Sequence, residues 1–234
     1  MTMGIVNWYA IEEAGKLALV DAGTPADWGL LEQGLKGLER TLNDVDCVLL
    51  THAHGDHLGF AERARAEAGA TVRIHEADEA MARGARSPKN EGGLTGYLFH
   101  AEAYRTLIGL TRRGAIRVPP VAEVSTFRDG EILAVPGRPR VLHTPGHTAG
   151  NCSLWFESLS VVCTGDTVVT RNPLTGRVGP QVMPTAFNQS TQVALSSLAR
   201  FDGVSAAILL PGHGEPWRDG VAEAIHRARE AGAS

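Results

Sequence analysis

Thr51-His52-Ala53-His54-Gly55-Asp56-His57 places three imidazoles and one carboxylate within six residues. Imidazole and carboxylate are the ligands that Zn²⁺, Fe²⁺ and Mn²⁺ accept. His52 and His54 stand two apart, so on an extended segment they point the same way. Gly55 lets the backbone turn before Asp56 and His57. One short loop can therefore offer two groups to one metal and two to a neighbour. Four groups would leave both metals short of ligands, and the chain supplies more. His147 lies in His143-Thr144-Pro145-Gly146-His147, Asp166 in Cys163-Thr164-Gly165-Asp166, and His213 in Leu210-Pro211-Gly212-His213. In each, an apolar run ends, a glycine opens the turn, and a His or Asp sits at its tip. No G-x-S-x-G elbow is present, and none of the three cysteines has an adjacent histidine to activate it. The chemistry implied is metal-assisted hydrolysis without a protein nucleophile. Asp56 has a second job available: a carboxylate beside the attacking water can hold its proton and pass it to the leaving group.

The elements that must carry these groups are short. Val6–Ile11 and Leu17–Val20 read as a hairpin, 26–41 as a helix, and Cys47–Leu50 as a buried strand leading into the histidine cluster. Residues 57–69 read as a helix, 71–75 as a strand and 76–85 as a helix. A polar, glycine-rich loop at 86–96 precedes a helix at 97–113. Strands are expected at 124–128, 131–135 and 140–143, then a hairpin at 152–156 and 160–163. Residues 170–187, with three prolines and no period, read as a long irregular loop. Helix 190–200, strand 206–210 and helix 219–231 follow. The pattern suggests two sheets with helices outside, in one domain over 1–234.

Composition bounds the function. With 43% apolar and 21% charged residues the chain is of the globular type. A net charge of −4 lacks the basic field of a nucleic-acid or anionic-membrane binder, so neither partner is expected. No apolar run reaches the roughly 18–20 residues that span a bilayer. The start, MTMGIVNWYAIEE, has no basic region followed by an apolar one. Cys47, Cys152 and Cys163 are odd in number and sit in apolar contexts, as reduced core thiols do. The expectation is a cytoplasmic protein acting on a small molecule.

HxHxDH at 52–57, TPGHT around His147, TGD at Asp166 and PGHG at His213, in that order, resemble the metallo-β-lactamase superfamily of metallo-hydrolases. The likeness extends to the VDAG turn at Asp21. It implies an α+β fold, the αββα sandwich of two mixed β-sheets flanked by helices, with the metals at the edge where the sheets meet. It further implies two divalent ions, zinc foremost and iron or manganese otherwise. His52, His54 and His147 would hold the first. Asp56, His57 and His213 would hold the second. Asp166 would bridge both, and Asp21 would orient a ligand from behind. The reaction implied is attack of a metal-bridging hydroxide on a small ester-like substrate such as a thioester, a lactone or a related acyl compound. The alternatives on the same fold are a phosphodiester hydrolase and a mononuclear iron persulfide dioxygenase. Zinc β-lactamases tend to carry another residue at the bridging position. Glyoxalase II adds a C-terminal helical domain, whereas only about 20 residues follow His213 here.

Three segments are candidates for substrate contact. Helix 97–113 carries Tyr97 and Tyr104, with Phe99 beside them, and a tyrosine near the metals would donate to a carbonyl or leaving group. Loop 170–187 carries Arg171, a candidate for a substrate carboxylate, with Arg177, Met183 and Phe187. Trp28, after the VDAG turn, is a candidate for the pocket mouth. His75, His100 and His226 read as structural or surface residues. His143, four before His147, is a candidate for support of the site.

Overall fold

The computed structural model describes residues 5–232. Strands β1 (Tyr9–Glu13) and β2 (Lys16–Val20) form the first hairpin, closed at Ala14-Gly15, both with positive φ. Helix α1 (Trp28–Gly37) leads to β3 (Val45–Leu49), then α2 (Gly55–Leu58), α3 (Ala61–Ala68) and β4 (Thr71–His75). Helices α4 (Glu79–Ala82) and α5 (Ala101–Arg112) precede β5 (Ser125–Phe127), β6 (Arg140–His143), β7 (Cys152–Phe156) and β8 (Val161–Gly165). The chain continues through β9 (Val169–Arg171), β10 (Val178–Gln181), α6 (Thr191–Ser197), β11 (Ile208–Pro211) and α7 (Val221–Ala231).

The strands form two mixed sheets, β1-β2-β3-β4-β5 and β11-β8-β7-β6, plus the small β9–β10 ribbon. Strand alternation sorts the core into layers. Leu17, Leu19, Val48, Val72 and Ile74 face α1 and α3, packing on Leu31, Leu35, Ala61 and Ala64. Ala18, Val20, Cys47 and Leu49 face the other way, onto Val141, Leu154, Phe156 and Cys163 of the second sheet. The outer side of that sheet, with Leu142, Val162 and Leu209, packs on Ala194, Val221, Ile225 and Ala228 of α6 and α7. The result is the expected sandwich, helices outside and two sheets within.

Several boundaries differ from the sequence expectation. The helix expected at 57–69 breaks at Gly59-Phe60, whose N–H groups bond Gly23 O and Ala22 O instead of continuing the helix. The strand expected at 131–135 reduces to one bridge, Ile132 with Arg140, because Pro136, Gly137 and Pro139 impose a tight turn. The helix expected at 76–85 shortens to a 3-10 turn at Glu76–Asp78 followed by α4. The expected loop 170–187 contains the β9–β10 ribbon, whose turn is held by Asn172 Oδ1 accepting from Leu174 N and Thr175 N. Among the described residues no helix is long and apolar enough to cross a membrane.

Candidate metal centre

Strands β8 and β11 are parallel neighbours, so their C-terminal ends deliver Asp166 and His213 side by side. β6 and β8 both run antiparallel to β7, so β6 ends at the same edge and delivers His147. The histidine loop follows β3 and joins that edge through Cys152 N donating to Thr51 O. Seven side chains thereby meet. His52, His54 and His147 form one group, Asp56, His57 and His213 a second, and His52, His57 and Asp166 span the two. Asp166 Oδ2 lies 3.4 Å from His147 Nε2 and 3.3 Å from His213 Nε2, while its Oδ1 is 3.4 Å from His57 Nε2. Gly212 packs against Asp166 Oδ1 and His57 so closely that any Cβ there would overlap the carboxylate.

Outer partners decide which nitrogen each ring presents. Asp21 Oδ1 accepts from Thr51 N, and its Oδ2 accepts from the Thr51 hydroxyl and, at 2.8 Å, from His57 Nδ1. The Thr51 hydroxyl, donating to Asp21, accepts from His52 Nδ1 at 3.0 Å. His213 Nδ1 donates to Ile5 O at 2.6 Å, and His147 Nδ1 faces Asn188 Oδ1 at 3.4 Å. His52, His57, His147 and His213 therefore turn Nε2 into the cluster. Asp21 holds this position with φ 62°, a left-handed conformation that Asp tolerates better than most residues.

The electrostatics split along the two groups. Burial pushes His147 down to about 3 and His52 well below its ordinary range, with the neighbouring rings adding to the effect. Burial lowers His54 as well. His57 is the reverse: burial opposes its charge, but Asp166, Asp21 and Asp56 override it and raise the ring to about 10. His213 is raised in the same way by Asp166 and Asp56 against burial. Asp166, although buried, is held well below the usual carboxylate range by His213, His57 and His147. His147 Nε2 lies 3.1 Å from His52 Nε2 and 2.8 Å from His54 Nδ1, so three ring nitrogens converge on one point. Among the described residues the buried His57 Nε2 and Asp166 Oδ1, 3.4 Å apart, have no partner in hydrogen-bond geometry. Converging ring nitrogens and orphaned polar atoms in one buried cluster are what cations would satisfy, and the donor set is of the type that binds them.

A cavity of about 240 Å³ lies over the cluster, walled by Asn90, Thr106, Leu110, Met183 and Phe187. Segment 86–113 thus contributes to the wall, though not through its tyrosines. Tyr97 is half-buried against Ala103, Leu174 and Ala186. Tyr104 is half-exposed, with its hydroxyl donating to Leu98 O. Neither is among the residues of the cavity wall. Arg171 is paired with Glu102 at 2.9 Å and faces a neighbouring cavity. Trp28 is buried edge-on against Phe60, beneath Arg63. His143 stacks on His75 at 4.0 Å and is in none of the metal-ligand groups.

Two positioning residues escaped the sequence reading. Asp78, fully buried, accepts from Ala53 N, the Thr148 hydroxyl and Gly150 N, stapling the first histidine loop to the His147 loop. Asn7 Nδ2 donates to Pro211 O and Gly214 O, clamping the turn that carries His213. No spacing signal marked either, since both act across long sequence separations. Asp78→Ala is expected to weaken metal binding on the order of 10–100-fold, as loss of an outer partner does. Chelator competition measures this, and an unchanged affinity would show that the staple is dispensable.

Comparison with known proteins agrees with this geometry. Residues 1–213 match the family model described as the metallo-beta-lactamase superfamily. A probable metallo-hydrolase, YflN, of Bacillus subtilis (strain 168) is 26% identical over 230 residues, covering 92% of this chain and 83% of that protein. The crystal structure of the metallo-beta-lactamase family protein TTHA1429 from Thermus thermophilus superposes with a TM-score of 0.69 at 30% identity, covering 96% of this chain and 73% of the other. That of TTHA1623, solved in a di-iron-bound form, superposes with a TM-score of 0.62 at 24% identity, covering 91% and 89%. From residues, geometry and family match together, the chain belongs to the metallo-beta-lactamase superfamily.

Proposed function

We propose that this protein is a dinuclear metal-dependent hydrolase of a small, ester-like substrate. The observation that carries the reading is the convergence of two three-residue ligand groups on Asp166, beneath a cavity of substrate size. His52, His54 and His147 would hold one ion, Asp56, His57 and His213 the other, with Asp166 shared. Ions held there would lower the pKa of a shared water toward about 7 and offset the charge that develops on the substrate oxygen. Zinc suits this histidine-rich set, and the di-iron-bound neighbour makes iron the alternative.

The chain's own groups do the rest. Asp56 lies on the cavity wall with Oδ2 3.5 Å from His213 Nε2, placed to take a proton from the attacking water and return it to the leaving group. Leu110, Met183 and Phe187 supply the apolar part of the wall beside which the scissile bond would sit. The buried, unpaired thiols Cys47, Cys152 and Cys163 support a reducing compartment, hence a cytoplasmic protein. The test is a side-by-side assay of protein loaded with zinc, iron or manganese against nitrophenyl acetate, a thioester, a homoserine lactone and bis-nitrophenyl phosphate. Turnover of the phosphodiester alone, or a single metal per chain with excess zinc, would overturn the reading.

Metal binding is expected to release protons. In the metal-free protein His57 keeps its proton up to about pH 10, and His213 is raised too. Between pH 6.5 and 8.5 a cation must displace at least one proton, so apparent zinc affinity should rise about tenfold per pH unit. The raised His57 contributes stability to the metal-free state that is present below about 6.5 and fades as pH rises through 10. Alkaline pH therefore favours metal binding twice, through easier proton loss and a weaker competing state. Calorimetric titration in buffers of different ionisation enthalpy counts the protons. A pH-independent affinity would contradict the charge assignment.

A further inference from the structure

A second cavity, of about 230 Å³, opens beside the one over the metal centre. The two share His213, Thr106 and Pro173. The Thr106 hydroxyl donates to Pro173 O at 2.6 Å, so two of the three shared residues are bonded to each other, beside the candidate metal ligand His213. A substrate whose scissile bond sits by His213 can extend into this cavity, which shares that histidine with the first.

The lining defines what fits. Ile5, Val178, Pro216 and Trp217 supply apolar wall. Four charges border it and cancel. Arg171 bonds Glu102 at 2.9 Å, Arg105 approaches the same carboxylate at 3.9 Å, and exposed Glu215 supplies the second negative charge. Arg171, a candidate for a substrate carboxylate, is thus paired with its own neighbour. Ile5 joins this cavity to the metal centre, because its side chain forms wall while its carbonyl accepts from His213 Nδ1.

We propose that the second cavity receives an uncharged, apolar arm of the substrate, making this protein selective for medium-chain or aryl-bearing acyl compounds over acetyl-sized ones. The proposal rests on the hydrolase reading above for its chemistry, and on cavity shape and lining for its specificity. Burial of each methylene of the arm should raise kcat/KM about fourfold until the cavity is full.

Two measurements test it independently. The first is kcat/KM of the zinc-loaded enzyme on nitrophenyl esters from acetyl to octanoyl, for the native chain and Val178→Phe. Val178 is exposed at the cavity rim, so a phenyl ring there narrows the mouth without emptying the core. A rise with chain length that flattens in the variant is expected. The second is titration of the zinc-loaded protein with octan-1-ol, read as Trp217 emission and compared with Trp217→Phe. A saturable change lost in Trp217→Phe is expected, and it supports the cavity assignment even if no ester is turned over, in which case only the hydrolase reading fails. Absence of any saturable Trp217 response overturns the proposal whatever the esters do. Equal kcat/KM for acetyl and octanoyl esters overturns it while leaving the hydrolase reading intact.

Discussion

Asp166→Ala is expected to abolish turnover and to empty both metal positions at ordinary zinc concentrations. Asp166 is 2% exposed, and its two oxygens lie within 3.4 Å of ring nitrogens from both ligand groups. Two cations side by side repel unless a shared anion offsets them, and none of the other ligands approaches both groups with a negative charge as closely. Removing it also leaves His57 and His213 without their largest source of charge stabilisation. The loss of affinity should exceed the roughly 10–100-fold that follows loss of an outer partner. Elemental analysis after dialysis, together with the ester assay, measures both effects. Two retained metals with normal activity would show that Asp166 is not the bridge.

Asp56→Asn should separate chemistry from metal binding. The substitution keeps the shape and removes the charge and the proton-accepting capacity. Turnover is expected to fall on the order of 10²–10⁴-fold, the usual contribution of a positioned acid–base group. An ion at the candidate group His52, His54 and His147 should remain, because Asp56 is not part of that group. Cobalt substitution followed by absorption spectroscopy reports that ion directly. Activity within a few-fold of the native enzyme would transfer the proton-handling role elsewhere.

The clustered His and Asp side chains were readable in the sequence because their delivery is local. Each lies at the end of an apolar strand, beside a glycine or within a cluster of its own kind, and strand ends in this sandwich meet at one edge. Asp21 was readable for the same reason, at the turn after β2. Residues 170–187 were not, because proline-rich composition hides a ribbon that pairs through only a few backbone bonds.

What the sequence determined by itself is therefore the set of His and Asp side chains that converge, the order of their motifs and the layered fold, each encoded in residue type and short spacing. What only the tertiary structure decided is the surroundings of those ligands. Asp78 sits in an acidic run that reads as solvated helix, yet it is buried and bonds groups 25 and 70 residues away. Helix α5 shows the cause most clearly. Tyr104, the candidate for chemistry, and Ile108 are half-exposed, while Thr106 and Leu110 line the cavity. Hydrophobic periodicity identifies the buried face of a helix only when the other side is plainly polar, and α5 carries apolar residues on its exposed side as well. Its rotation about its own axis is settled by distant contacts: Thr106 bonds Pro173 O, Ile5 packs on Gly109, and Arg113 just past its end bonds Asp27 at 2.6 Å.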